Sequence, residues 1–315
     1  MEERDKVRVF APATVANMVC GFDVLGFALN EPGDEVVIRR VDEPGVRLVE
    51  VTGDDGRLPR EATKNTVSAC VISLLEYIGR TDVGLEIHLH KHMPIGSGLG
   101  SSSASTVAGL FAANALMGNP LTRQELLPFA LKGEELACGH GHADNVAPAL
   151  LGGITLIRGY DPLDVIPLPV PPDLCVGVVF PHVDVPTRDA RQMIRSKVAL
   201  KDAVVQWGNI AGLVAGLFRN DYALIGRSLQ DVVIEPTRAI LIPEFYEMRR
   251  LAMAGGALGF GISGSGPSVV AFTDNRDKAA SITGSIQEHL TKQGIDSNGY
   301  VSAVNAAGPK ELPIN

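Results

Sequence analysis

Hydrophobic and polar positions alternate in four stretches of the first hundred residues. These are "VRVF" (7–10), "DEVVIRRV" (34–41), "VRLVEVT" (46–52) and "GLEIHLHKH" (84–92). A period of two with many β-branched residues predicts strands. Between them, apolar residues recur at helical spacing in "NTVSACVISLLEYIG" (65–79), a helix opened by Asn65 and closed by Gly79. Residues 102–117 predict a second, strongly apolar helix. A third is expected over 122–139, where Thr122 and Glu125 have the spacing of a capping box. "HADNVAPALLGG" (142–153) reads as a short helix ended by glycines, and "ITLIRG" as the strand after it.

The pattern breaks at 160–173, where "YDPLDVIPLPVPPD" holds five prolines. Proline donates to neither helix nor sheet ladder, so a crossing between two domains, 1–165 and 166–315, is expected here. Beyond it the pattern predicts a strand (174–181), helices (188–229 and 243–254), a strand pair around "GISGSGPS" (257–273), a helix (276–293) and a last strand (299–305). Simplified, this is β-α-β-β-α-β, the split βαβ or ferredoxin-like order, with extra helices. The chain shows no internal repeat and no low-complexity tail.

Composition adds limits. The 315 residues are 45% hydrophobic and 20% charged, enough for a sizeable core and about two domains. A formal net charge of -8 argues against nucleic-acid and anionic-membrane partners, which want a basic face. An anionic substrate would need a local positive site. Cys20, Cys70, Cys138 and Cys175 are widely spaced with no CxxC pair, as expected for buried thiols in a reducing compartment. The N-terminus is charged without an apolar signal core, and no apolar run reaches membrane length, so a soluble, cytoplasmic protein is expected.

The chemistry concentrates in "PIGSGLGSSSAS" (94–105). A linker would lie between domains with polar flanks. Here a strand leads in and an apolar helix leads out. Such a unit presents backbone N–H groups at a helix N-terminus, where the dipole favours an anion. Glycines let the backbone approach phosphate oxygens without Cβ clashes. No lysine follows them, so this is no Walker loop, and the spacing does not match G-x-G-x-x-G.

The stretch resembles the second motif of the GHMP kinases, P-x-x-x-G-L-G-S-S-x-A. "APATVANMVCGFDVLGFAL" (11–29) is similar to their N-terminal substrate motif, and "GISGSGPSVVAF" (261–272) to their C-terminal glycine motif. The three fall in the family's order and span nearly the whole chain. The resemblance implies an α+β, two-domain GHMP fold: an N-terminal ribosomal-protein-S5-like α/β domain that binds ATP, and a ferredoxin-like C-terminal domain with extra helices. Within the superfamily, "HADNVAPALLGG", "PTRDAR" (186–191) and "EPTRAILIPEF" (235–245) resemble segments of the homoserine kinases, although Cys20 stands where that family usually has proline.

That resemblance implies ATP, Mg²⁺ and L-homoserine as ligands, a homodimer, and a place in threonine biosynthesis. It assigns ATP to Asn65, Pro94, Gly96, Ser97, Gly98, Leu99, Gly100, Ser101, Ser102 and Ser103, with the phosphates over 96–103 and Asn65 and the segment before Pro94 near adenine. It puts Mg²⁺ on Ser102 and Glu134, the substrate carboxylate on Arg191 and Arg238 with Thr187 on the same helix face as Arg191, the ammonium on Asp23, and the hydroxyl end on Asn17 and Asn145. Arginine suits a carboxylate because its planar fork makes two charge-assisted hydrogen bonds. Magnesium takes oxygen ligands, only one or two of them from protein. Of these residues, Asn145, Ser102 and Glu134 would carry the chemistry. No general base is legible; Asp144 is the nearest alternative and reads as a helix-capping residue.

Two histidine sets could suggest zinc by ligand type: His88, His90 and His92, on one side of a strand, and Cys138, His140 and His142. No second cluster completes either, so they are read as a polar sheet face and as the loop before the substrate helix. Rival functions are another GHMP activity (a mevalonate, phosphomevalonate or diphosphocytidyl-methylerythritol kinase) and a catalytically silent sensor on the same scaffold.

Overall fold

The computed structural model describes residues 4–139, 141–185, 193–194 and 197–314. The first sheet is built from β1 (Lys6–Ala16), β2 (Leu25–Val41), β3 (Gly45–Thr52), β4 (Gly84–His90), β5 (Ile154–Tyr160), β6 (Leu163–Leu168) and β11 (Lys310–Leu312). Its order is β11-β1-β2-β4-β3, with β5 added against β2 and β6 against β5. β3 runs parallel to β4, and the other pairs are antiparallel. Helices α1 (Thr66–Tyr77), α2 (Ser101–Leu116), α3 (Arg123–Cys138) and α4 (Ala143–Leu151) pack together and on this sheet. α2 is buried along nearly its whole length, which its run of Ser, Ala and Gly permits: a Cβ on Gly109 would fall 2.4 Å from a Val67 methyl.

Helix ends follow their sequence signals. The Asn65 side chain accepts from the Val67 N–H, and Thr122 with Glu125 forms the full capping box. The proline-rich stretch departs from expectation. β5 (Ile154–Tyr160) continues into β6 (Leu163–Leu168), and Pro167 sits opposite Thr155 in the ladder. Among the described residues β6 pairs only with β5, so Pro167 lies on an edge strand, where a missing N–H is tolerated. The boundary expected at residue 165 therefore falls inside a strand of the first sheet, and the crossing comes after Leu168. The chain also returns: β11 (Lys310–Leu312) pairs with β1.

The second sheet has the order β10-β7-β9-β8, built from β7 (Cys175–Pro181), β8 (Gly259–Ile262), β9 (Val269–Thr273) and β10 (Ser297–Ala303). All its pairs are antiparallel, which is the ferredoxin-like arrangement. The helices expected over 188–229 are, among the described residues, α5 (Leu200–Arg219) and α6 (Tyr222–Ser228). Asn220 in the left-handed region ends the first, and Asp221 caps the second by accepting the Leu224 N–H. A short α7 (Glu235–Arg238) precedes α8 (Phe245–Ala254), and α9 (Arg276–Lys292) packs on the sheet.

Alternation along the strands divides the core. Val176, Val178, Val270 and Phe272 face the first domain, where Phe272 meets Phe27 with ring centroids 5.6 Å apart. Val179, Val269 and Ala271 face α8 and α9, against Met248, Ile282 and Leu290. Both sheets thus share one hydrophobic core, which fixes the glycine motif of β8–β9 against the loop before α2. No helix among the described residues is long and apolar enough to cross a membrane.

Candidate functional site

The loop entering α2 is shaped by left-handed backbone at Gly96 (φ 77°), Gly98 (φ 79°) and Gly100 (φ 64°). Two of these glycines are also forced by packing. A Cβ on Gly98 would lie 2.7 Å from the carbonyls of Ser263 and Gly266, and one on Gly100 would lie 2.1 Å from Thr14 Oγ1. Gly96 instead opens to free space. The loop's carbonyls are already engaged: Leu99 accepts from the Thr14 N–H (3.0 Å), Gly98 from Ser263 Oγ (2.8 Å) and Ser97 from the Ser268 N–H (3.2 Å). Its helix is left without a side-chain cap at Gly100. The first-turn N–H groups, over Ser101 to Ser103, therefore have no helical acceptor, which suits them to phosphate oxygens. The Ser97 and Ser101 hydroxyls are buried without a hydrogen-bond partner, a second sign of a missing polar ligand.

Glu134 on α3 is buried and accepts from Ser103 Oγ at 2.9 Å. The serine that orients this carboxylate is therefore Ser103. Ser102, half-buried in the same helical turn, has its hydroxyl on a different side of α2. Glu135 is exposed.

The substrate-motif residues gather on the other side of the loop. Asn17 Nδ2 (2.9 Å) and Arg238 Nη1 (3.1 Å) donate to the same carbonyl, that of Gly264. A Cβ on Gly264 would lie 3.1 Å from the Gly98 carbonyl, so this residue joins the two halves of the site. Asn17 Oδ1 accepts from the Asp23 N–H at 3.0 Å, and the Asp23 carboxylate lies 3.7 Å from His142 Nδ1. Tyr160 ties this corner together, donating to the Asp23 carbonyl and accepting from the Ala143 N–H. Asn145 Oδ1 accepts from Thr14 Oγ1 at 2.7 Å and abuts Gly100. Arg238 is buried and stacks over Phe22, 5.1 Å from the ring centre. A small cavity opens among Asn17, Phe22, Asp231, Glu235, Arg238 and Gly264.

Burial raises the Glu235 carboxyl above the usual carboxylate range, opposed by its ion pair with Arg249. Thr187 and Arg191 lie outside the described residues, as do His140 and the Cys138 side chain. Asn65 is buried as the α1 cap, with Nδ2 on the Pro59 carbonyl, so its side chain is committed to the fold. Asp144 is buried in the first turn of α4, where His142 holds the cap position. In the other histidine set, His88 meets Glu50 and His90 meets Thr52.

A network absent from the motif reading lies beneath the loop. Lys91 Nζ contacts the Asp34 carboxylate, the Ser101 carbonyl (2.8 Å) and Ser105 Oγ (2.8 Å). Asp34 also accepts from Ser105 Oγ and from the N–H groups of His92 and Met93. Both charges are buried; burial pulls the Lys91 ammonium below the usual lysine range, opposed by Asp34 beside it. The one sequence signal was a lysine three residues before Pro94; its partner is 57 residues away.

Comparison with known proteins places this geometry. Residues 65–153 match the GHMP kinases N terminal domain and residues 213–292 the GHMP kinases C terminal domain. The chain is 49% identical over 318 residues to the homoserine kinase of Chloroherpeton thalassium, covering 98% of this chain and 99% of that one. It superimposes on the crystal structure of homoserine kinase from Cytophaga hutchinsonii with a TM-score of 0.97, at 54% identity and 99% coverage of both chains. Mevalonate kinase of L. major shares the fold alone, with a TM-score of 0.69 at 16% identity and coverage of 95% of this chain and 96% of that one.

Proposed function

The chain belongs to the homoserine kinases, within the GHMP kinases, and from that footing we propose that it transfers the γ-phosphoryl group of ATP to the terminal hydroxyl of L-homoserine. The product would be O-phospho-L-homoserine, in threonine biosynthesis, and the enzyme would work as a cytoplasmic homodimer. The observation that carries the reading is the shared Gly264 carbonyl, which sets Asn17 and Arg238 directly against the Gly98 turn of the phosphate loop.

Each residue has a role in this reading. The α2 N-terminus and the backbone of 96–103 hold the phosphates of ATP. Asp23 takes the substrate ammonium, while Arg238 and Arg191 take its carboxylate, so both charged ends of homoserine are fixed. Asn17 and Asn145 flank the loop and orient the hydroxyl. Holding the hydroxyl in line converts a bimolecular attack into a local one. In this reading buried Glu134, oriented by Ser103, would supply one oxygen donor of the kind a hard divalent cation takes, and Ser102, one position before Ser103 on α2 with its hydroxyl on a different side, would supply the other to hold Mg²⁺. When bound, Mg²⁺ would neutralise charge on the β- and γ-phosphates.

No protein carboxylate removes the hydroxyl proton in this reading. Glu134 is turned to Ser103, Asp34 to Lys91 and Asp23 toward His142. A loose phosphoryl-transfer transition state needs positioning and charge neutralisation more than a strong base. The test is ADP release from Mg-ATP with L-homoserine, mevalonate and galactose offered separately. Release with homoserine alone is expected. Release with either of the others would overturn the substrate assignment while leaving the phosphate loop intact.

A further inference from the structure

The loop that carries Asn17 and Asp23 is an unusual piece of backbone. Asn17 (φ 71°), Met18 (φ 42°), Val19 (φ 65°) and Asp23 (φ 58°) all lie in the left-handed region without being glycine. For β-branched Val19 this is a true outlier. Such conformations persist only where the surroundings over-determine them. Internal bonds supply part of the restraint: Cys20 N–H to the Met18 carbonyl (2.9 Å) and Gly21 N–H to the Asn17 carbonyl (2.7 Å).

The outward restraint comes from Gln206, in the middle of α5 and far away in sequence. Its side chain is buried. Nε2 donates to the Cys20 carbonyl at 2.6 Å, and Oε1 accepts from the Val232 N–H at 3.0 Å. Val232 opens the turn that leads into α7 and Arg238, where Asp231 accepts from the N–H groups of Val233, Ile234 and Glu235. One amide thus bridges the loop of Asn17 and Asp23 and the segment of Arg238. These segments are also joined by the stacking of Arg238 on Phe22 and through the Gly264 carbonyl.

We propose that Gln206 is a positioning residue for the amino-acid substrate: its two hydrogen bonds set the spacing between the ammonium-binding loop and the carboxylate-binding arginine. It touches neither substrate, and it acts on the homoserine side of the site only. The proposal rests on the assignment of Asn17, Asp23 and Arg238 to homoserine made above.

The experiment uses the full chain and measures KM for homoserine and for ATP in Gln206→Met and Gln206→Glu, beside a thermal melt of each. Gln206→Met keeps length and loses both bonds. Gln206→Glu keeps the acceptor for Val232 and sets a carboxylate against the Cys20 carbonyl. Both folded variants are expected to raise KM for homoserine about tenfold or more, the size of a lost buried polar pair, with KM for ATP within about twofold. Gln206→Glu is expected to be the more affected, because it turns attraction at Cys20 into repulsion. Unchanged KM for homoserine, or an equal rise in both KM values, overturns the proposal and leaves Gln206 a structural residue. If one variant does not fold, the other decides. The parent enzyme is the control: failure to phosphorylate homoserine there would sink the substrate assignment itself, before any variant is read.

Discussion

Replacing Lys91 by methionine should damage the protein in a way that can be sized from its contacts. The substitution keeps most of the stem and removes the ammonium. Asp34, fully buried, would then retain the N–H groups of His92 (3.0 Å) and Met93 (3.2 Å) and Ser105 Oγ (2.7 Å). Removing one partner of a buried ion pair costs about 3–5 kcal/mol. The three remaining hydrogen bonds place this case at the low end, about 3 kcal/mol. At about 2–4 °C per kcal/mol for a domain of this size, the melting temperature should fall by about 6–12 °C. Differential scanning calorimetry measures it. Adding Asp34→Asn removes the stranded charge, so the double variant should be more stable than Lys91→Met alone by about 1–2 kcal/mol. The Ser101 carbonyl also loses a donor at the start of α2, so KM for ATP should rise while KM for homoserine holds. A melt within about 2 °C of the parent, or strictly additive variants, would show that the buried pair does not hold this part of the fold.

Other outcomes are expected on the same grounds. Arg238→Lys keeps the charge but loses the planar fork and the stacking on Phe22, so steady-state kinetics should show KM for homoserine up about ten- to a hundredfold and KM for ATP unchanged. Asp144→Asn should keep kcat within about tenfold, because loss of a general base would cost about a hundredfold or more; abolished turnover with both substrates still bound would restore Asp144 as a base. Burial raises the Cys20 and Cys70 thiols from 9.0 to about 12, so alkylation of the native protein at pH 8.5, mapped by mass spectrometry, should label neither. The linked effect on stability has a definite sign. The unfolded thiols ionise above pH 9 and the folded ones do not, so stability should fall with rising pH there, by up to about 1.4 kcal/mol per pH unit for each thiol, and Cys20→Ala should reduce that slope.

What the sequence revealed depended on range. Caps are local, and Asn65 and the Thr122–Glu125 box were readable because partners lie within three residues. The ferredoxin order was readable because its strands are short runs set off by turn residues, although β7, β8 and β9 are buried on both faces. The strand over 25–33 was not: Leu25–Leu29 is buried on both faces, so alternation vanishes. β6 was hidden by Pro167, which an edge strand accommodates, and by the prolines that flank it. At the site, the glycine loop could be read as a phosphate cradle from residue type and flanking elements. The packing reason for Gly98 and Gly100 could not, because it involves Thr14 and Ser263. The same limit hid the Lys91–Asp34 pair and Gln206, whose partner Cys20 is 186 residues away. Neither carries a motif; each is defined by what the fold brings to it.

In the proposed reaction homoserine and ATP meet across Gly264 and Gly98. A crystal structure of the enzyme with L-homoserine and a non-hydrolysable ATP analogue tests this most directly. The expected complex has phosphates on the α2 N-terminus over 96–103, the amino-acid carboxylate on Arg238, its ammonium on Asp23, and the hydroxyl between Asn17 and Asn145, facing the γ-phosphate. Phosphates bound away from this loop, or homoserine bound without Asp23 and Arg238, would contradict it.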